Sequence, residues 1–123
     1  MTVLAIAVGG ALGSVSRYLI AVRLYNWLGI GLPSGTLTVN VAGSFLLGVV
    51  IAMVEQRDML SPETRSFMTI GFLGGMTTVS TFIYDGWDYS RHDDLLLALI
   101  YAVVTLAGGF AAFASGNALA RTV

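Results

Sequence analysis

The sequence predicts an all-α membrane protein of four transmembrane helices, the third of them broken. Three observations carry that reading. Of 123 residues, 56% are hydrophobic and only 11% charged, with a mean hydropathy of +0.83, whereas a soluble domain carries about a quarter charged side chains. Apolar segments recur at residues 2–22, 36–54, 67–84 and 95–118; at 1.5 Å per residue they are about 27–36 Å long and match a hydrocarbon core near 30 Å. Finally, the stretch Gly71-Phe72-Leu73-Gly74-Gly75-Met76-Thr77-Thr78-Val79-Ser80-Thr81-Phe82 lies in the third apolar segment, yet more than half of it is Gly, Ser or Thr. Glycines weaken a helix, and the β-branched run Thr77-Thr78-Val79 stiffens the chain after them. Freed backbone groups are tolerated in a membrane only where protein buries them or where they line a polar path. The stretch therefore marks a break at the working centre of a small channel or transporter.

The first span carries Gly9, Gly10, Gly13 and Ser14, a small-residue face suited to close helix contact. Its first fifteen residues hold no basic region and the apolar run continues to Val22, so it reads as a retained span rather than a cleaved signal. Near its end stands Arg17, the one charge within any of the four segments. A guanidinium there either anchors the helix at the interface or forms an anion-attracting vestibule. The second span sets Thr36, Asn40 and Ser44 four residues apart, on one helical face. Interhelical hydrogen bonding and pore lining both account for Asn40.

In the third span, Thr77, Thr78, Ser80 and Thr81 gather hydroxyls beside the expected Gly74-Gly75 break, more than bonding back to their own helix would need. The fourth span places Tyr101 and Thr105 on one face, with the phenol too deep for the interfacial aromatic belt and in need of a partner. Phe110 and Phe113 read as packing residues. The connections are short: Ser61-Pro62-Glu63 is a helix-start signal, residues 85–94 form an acidic loop, and Tyr18, Tyr25, Trp27, Trp87 and Tyr89 fall near span ends as an aromatic belt requires. His92, in that polar loop, reads as solvated. One membrane side carries Arg57, Arg65 and Arg121; the other carries Arg23, Arg91 and, if it reaches the interface, Arg17. So even a balance permits insertion in both orientations, and with it an antiparallel dimer.

The same inventory excludes function classes. The chain has no cysteine, no basic run, no phosphate-binding glycine loop, no metal-ligand cluster and no nucleophile with a base, and its loops are too short to hold a soluble active site. This is not an enzyme. With no acidic residue in mid-membrane, a proton relay or carboxylate cation trap is disfavoured, while hydroxyl, amide and phenol donors suit a small anion.

Three strings point further: Gly9-Gly10-Ala11-Leu12-Gly13 through Arg17-Tyr18; Gly35-Thr36-Leu37-Thr38-Val39-Asn40 with Gly43-Ser44-Phe45-Leu46-Leu47-Gly48; and Gly71-Phe72-Leu73-Gly74-Gly75-Met76-Thr77-Thr78. In order and spacing, across nearly the whole chain and with Tyr101 in the last helix, they resemble the Fluc (CrcB) fluoride channels. The resemblance implies an antiparallel, dual-topology homodimer in a prokaryotic inner membrane, with two fluoride pores exporting the anion passively. It also implies a structural sodium ion at the dimer centre, held by the backbone carbonyls of Gly74 and Thr77. Asn40 and Phe82 would contact the fluoride path. Thr78, Ser80, Thr81, Tyr101 and Ser44 would contribute to its polar lining, with Arg17 and Asp85 at its approaches. The paired phenylalanines of the family map to positions 79 and 82, and here position 79 is Val. Valine lacks the positive ring edge that an anion would meet. Two readings stay open: Phe82 carries the contact alone, or this chain is half of an unequal pair or a poorly conducting relative. A small multidrug transporter is the weaker rival because Asp85, its only candidate carboxylate, falls at a span end. A non-transporting scaffold would have no use for the aligned polar stripe beyond packing.

Overall fold

A computed structural model of the chain describes residues 1–28, 33–57, 60–92 and 94–122. Its elements are α1 (Thr2–Leu28), α2 (Ser34–Arg57), α3 (Pro62–Ser66), a π-helical segment (Phe67–Leu73), the single turn α4 (Gly74–Met76), α5 (Val79–Arg91) and α6 (Leu95–Thr122). Four stretches are long and apolar enough to cross a membrane: α1, α2, the composite Pro62–Arg91, and α6. Each of these helical stretches overlaps one of the four apolar segments and runs on past its C-terminal end. The acidic loop expected at residues 85–94 is, as far as Arg91, the second half of α5. Polar residues continue the helix there because they lie beyond the apolar stretch, where water can solvate them.

Glycine sets the packing. Gly9 and Gly13 of α1 face the backbone of the π-helical segment so closely that a methyl on Gly13 would fall on the Phe72 carbonyl oxygen and 2.9 Å from the Met76 nitrogen. Gly71 and Gly75 return the contact, approaching Gly9 and Gly10. A second close pair joins α2 to α6, where Gly48 faces the Phe113 carbonyl and Gly116 faces the Phe45 carbonyl. Asn117 donates across this pair to the Gly48 carbonyl at 3.2 Å, and Arg121 bridges Asn117 and Glu55 at the exposed end. With lipid tails as apolar as leucine, such backbone proximity is what holds membrane helices together.

The buried cluster Val39, Val50, Leu73 and Met76 lies between the two pairs. Most other large apolar side chains of α1 and α6, such as Leu12, Val15, Leu99 and Val103, are exposed on the single chain, as a lipid-facing surface demands. The Ser61 cap forms as the sequence predicts, its hydroxyl accepting from the Thr64 amide with Pro62 opening the helix.

The glycine contacts yield a paired test. Gly13→Ala should cost about 1–3 kcal/mol, because the added methyl meets backbone that cannot swing away. Gly10→Ala, whose methyl meets nothing within 4 Å, should be neutral or gain up to about 1 kcal/mol of helix propensity. Thermal unfolding in detergent, read by loss of the monodisperse peak, separates the two; equal midpoints would refute the close approach.

Candidate functional site: a groove at the helix break

The break falls one turn later than the glycine pair. Gly74 and Gly75 are helical, and the extended residues are Thr77 (φ −83°, ψ 155°) and Thr78 (φ −153°, ψ 124°). The β-branched threonines, rather than the glycines, leave the helix; Gly71 and Gly75 serve contact with α1 instead. Thr77 closes the first half, its amide and its hydroxyl both donating to the Leu73 carbonyl at 2.9 Å. Thr78 opens the second half: its hydroxyl caps α5 by accepting from the Thr81 amide, and it donates to the Thr81 hydroxyl, both at 3.2 Å.

The backbone freed at Thr78 is taken up by Asn40. Its carboxamide oxygen accepts from the Thr78 amide at 2.8 Å, and its nitrogen donates to the Thr78 carbonyl at 3.0 Å. A side-chain amide thus pairs with the chain as a neighbouring strand would. Ser44, one turn on, donates to the Asn40 carbonyl at 2.7 Å. Between these two, Gly43 lets the Thr77 methyl pack directly against α2. The Asn40 nitrogen carries two hydrogens, and one remains for a further acceptor.

Asn40 lines a groove of about 750 Å³ whose wall also includes Ser44, Thr78, Val79, Phe82 and Thr105. Thr105 is buried and its hydroxyl has no hydrogen-bond partner, the only such buried side-chain atom among the described residues. The rest of the wall is largely apolar, including Phe110 and Phe113. Phe110 is 80% exposed and Val79 74% exposed. The packing role that the sequence suggests for Phe110 is not met within one chain; the ring instead forms an open side of the groove.

Several expected lining residues stand elsewhere. Ser80, Thr81 and Tyr101 are not on the groove wall. Ser80 and Thr81 are exposed on α5. Tyr101 is only 3% exposed; its hydroxyl donates to Asp85 Oδ2 at 3.1 Å, and its ring lies 5.3 Å from that of Phe82 and 6.2 Å from that of Tyr89. Thr36 shares the Asn40 face but sits one turn beyond the groove, buried beside Asp85 and Tyr101. Arg17 is half-buried on α1 and joins no ion pair among the described residues. His92 is exposed, with Nδ1 2.8 Å from the Asp88 carbonyl. The hydroxyl cluster at the break is therefore mostly committed to ending and restarting a helix. Asn117, a carboxamide inside an apolar helix, is a residue that sequence reasoning passed over, and Gly43, three residues after Asn40, enters it only as part of a resembling string.

No backbone hydrogen bond reaches the Gly74 or Thr77 carbonyl among the described residues. These are hard oxygen donors left open by the break, and Gly74 is exposed on the outside of the chain. They fit an alkali cation, and two per chain would become four if a second copy met the first there.

A four-span membrane protein with a broken helix bordering a partly polar groove belongs structurally with channels and transporters rather than enzymes. Comparison with known proteins makes the class specific. Residues 4–117 match the family described as CrcB-like protein, Camphor Resistance (CrcB), and the chain belongs to that family. It is 43% identical over 118 residues to a protein of Hahella chejuensis named fluoride-specific ion channel FluC, covering 96% of this chain and 93% of that one. A protein of the same name from Chlorobaculum tepidum is 42% identical over 119 residues, covering 97% and 94%.

Asn40→Leu leaves the Thr78 amide unpaired, while the Thr78 carbonyl keeps the first hydrogen bond of α5, and should destabilise the protein by about 1–3 kcal/mol. Amide hydrogen exchange on a peptide spanning Thr78 should accelerate in this variant while α6 is unaffected. Unchanged exchange at Thr78 would show that the carboxamide does not hold the break.

Proposed function

We propose that this chain forms a fluoride-selective channel that lets cytoplasmic fluoride leave passively, and that Asn40, Phe82 and Thr105 meet the anion along the groove. The observation that carries the reading is the Asn40–Thr78 pairing: it holds an unwound segment inside an apolar span and leaves an amide hydrogen on a groove wall shared with Phe82. Family membership supplies the ion, since the relatives are named for fluoride.

The physical logic is consistent with the donor set. Hydrogen fluoride crosses lipid as a neutral acid and ionises inside; a potential negative inside then favours anion exit by about 2.3 kcal/mol per charge per 100 mV. Fluoride holds its water tightly, so a selective path must replace that water with donors at close range. The spare Asn40 hydrogen, the unpartnered Thr105 hydroxyl and the edge of the Phe82 ring are donors of that kind. Chloride is larger and would not fit the same spacing. Among the described residues no carboxylate stands on the groove wall, which accords with an anion rather than a cation as cargo.

The working unit in this reading is an antiparallel homodimer in the bacterial inner membrane. Its support is the near-even Arg balance, together with a groove left open beside exposed Val79 and Phe110, which a second copy would close. A sodium ion at the Gly74 and Thr77 carbonyls would join the two copies, supplying a fixed positive charge that locks the break.

The test is potassium fluoride efflux from liposomes holding purified protein, with potassium chloride as control and valinomycin carrying the counter-ion. Fast fluoride release without chloride release is expected. No release from folded, dimeric protein would move the reading to an unequal partner subunit, for which Val79 is the feature to blame. Within a conducting protein, Phe82→Ile should slow fluoride at least about tenfold, and Val79→Ile by much less, since only the former deletes a ring edge. Equal losses would sink that division of labour.

A further inference from the structure

Nothing in α5 is buried, yet this helix begins at the break and must present Phe82 to the groove at a fixed angle. What fixes it runs along the face of α5 that carries Phe82. Phe82, Asp85 and Tyr89 are three and four residues apart, hence on one face of α5, and all three meet a single residue of α6, Tyr101. The Tyr101 ring is tilted 46° against Phe82 at 5.3 Å and stands edge-on to Tyr89 at 6.2 Å. Its hydroxyl donates to Asp85 Oδ2 at 3.1 Å, beside the Thr36 hydroxyl of α2. Phe82 lines the groove and Tyr101 does not.

We propose that Tyr101 is a positioning residue: its ring clamps Phe82 in place at the groove wall, and its hydroxyl serves Asp85 rather than the ion. The inference deepens the channel reading and rests on it for its functional half. It assigns Tyr101 a different task from the polar lining that the family resemblance implies. The phenol has one hydrogen to donate, and that hydrogen is spent on the Asp85 carboxylate, one turn along α5 from Phe82 and off the groove wall. The clamp matters more in this chain because position 79 offers no second ring. Whatever an anion gains from a ring edge along this segment must come from Phe82, and a ring free to rotate would present its negative face as often as its edge.

The experiment compares wild type, Tyr101→Phe and Tyr101→Leu in two readouts. The first is fluoride and chloride efflux from liposomes. The second is fluorine NMR of detergent-solubilised protein grown with 4-fluorophenylalanine, the Phe82 signal being assigned by its loss in Phe82→Ile. Tyr101→Phe keeps the ring and should hold the Phe82 resonance in place, with fluoride flux within about threefold of wild type. Tyr101→Leu should move or broaden that resonance and cut fluoride flux about tenfold, the fold-change equivalent of a lost aromatic pair, with chloride leak rising relative to fluoride. In the Phe82→Ile background Tyr101→Leu should cost little more. The other five phenylalanine signals report whether the fold survives; if they collapse in the Leu variant, Tyr101→Met takes its place under the same expectations.

The proposal is overturned if Tyr101→Phe loses flux as deeply as Tyr101→Leu with the Phe82 signal unmoved, for then the hydroxyl serves the ion. It is equally overturned if Tyr101→Leu leaves flux or the Phe82 signal unchanged. Wild-type protein that passes no fluoride would remove the channel reading instead, while the Phe82 resonance still judges the clamp.

Discussion

The pairing of the Asn40 carboxamide with both backbone groups of Thr78 is the interaction on which the rest of the structure depends. A helix that ends inside an apolar span exposes amides and carbonyls to lipid at several kcal/mol each unless something takes them up. Here one side chain takes both. That permits two consecutive extended residues in a place where only helix would otherwise survive. The remaining devices at the break depend on it: Thr77 bonds back to Leu73 to finish one half, Thr78 caps the other, and Gly43 clears room for the Thr77 methyl against α2. The carbonyls of Gly74 and Thr77, which the pairing does not reach, are left as open oxygen donors.

Around this centre the subunit is two glycine-joined pairs, α1 with the π-helical segment and α2 with α6, and the groove lies along the seam between them. A π-helical segment directly before the break is in keeping with that, since such bulges widen a helix locally and favour functional positions. The seam is polar at few points. Most hydroxyls near the break are occupied with helix ends, so in the proposed reading recognition of an anion falls to a short set of groups: the second Asn40 hydrogen, the Thr105 hydroxyl and the Phe82 edge. Few donors in an apolar wall is an arrangement that favours a small, strongly hydrated ion able to draw on all of them at once, and penalises one too large to do so.

Much of this was legible in the sequence because membrane spans are written in long runs. The four spans, the broken third helix and the Asn40–Ser44 face emerge from hydropathy, from the glycine and threonine content of residues 71–82 and from four-residue spacing. The location of the break did not. Gly74-Gly75 looks like the weakest helical point by propensity, but close contact with α1 uses Gly75 in helical form, and the β-branched pair yields instead. Propensity is a weak prior where tertiary contact decides. Tyr101 was legible as a phenol needing a partner, but Asp85 as that partner was not. The bond spans sixteen residues and exists only because α5 runs on past the end of the apolar stretch. Thr36 was grouped correctly with Asn40 by face, and only depth along α2 separates its role. The even Arg balance speaks to orientation, a property that one chain by itself does not display.

The most direct test of the central claim is the reversal potential of purified protein in a planar bilayer with fluoride on one side and chloride on the other. If the break held by Asn40 borders a fluoride-selective path, current should reverse far toward the fluoride equilibrium potential, with chloride carrying almost nothing. A reversal near zero, or one that tracks chloride, would contradict the account, because a groove with these few donors would then be discriminating on something other than the close fit of a small anion.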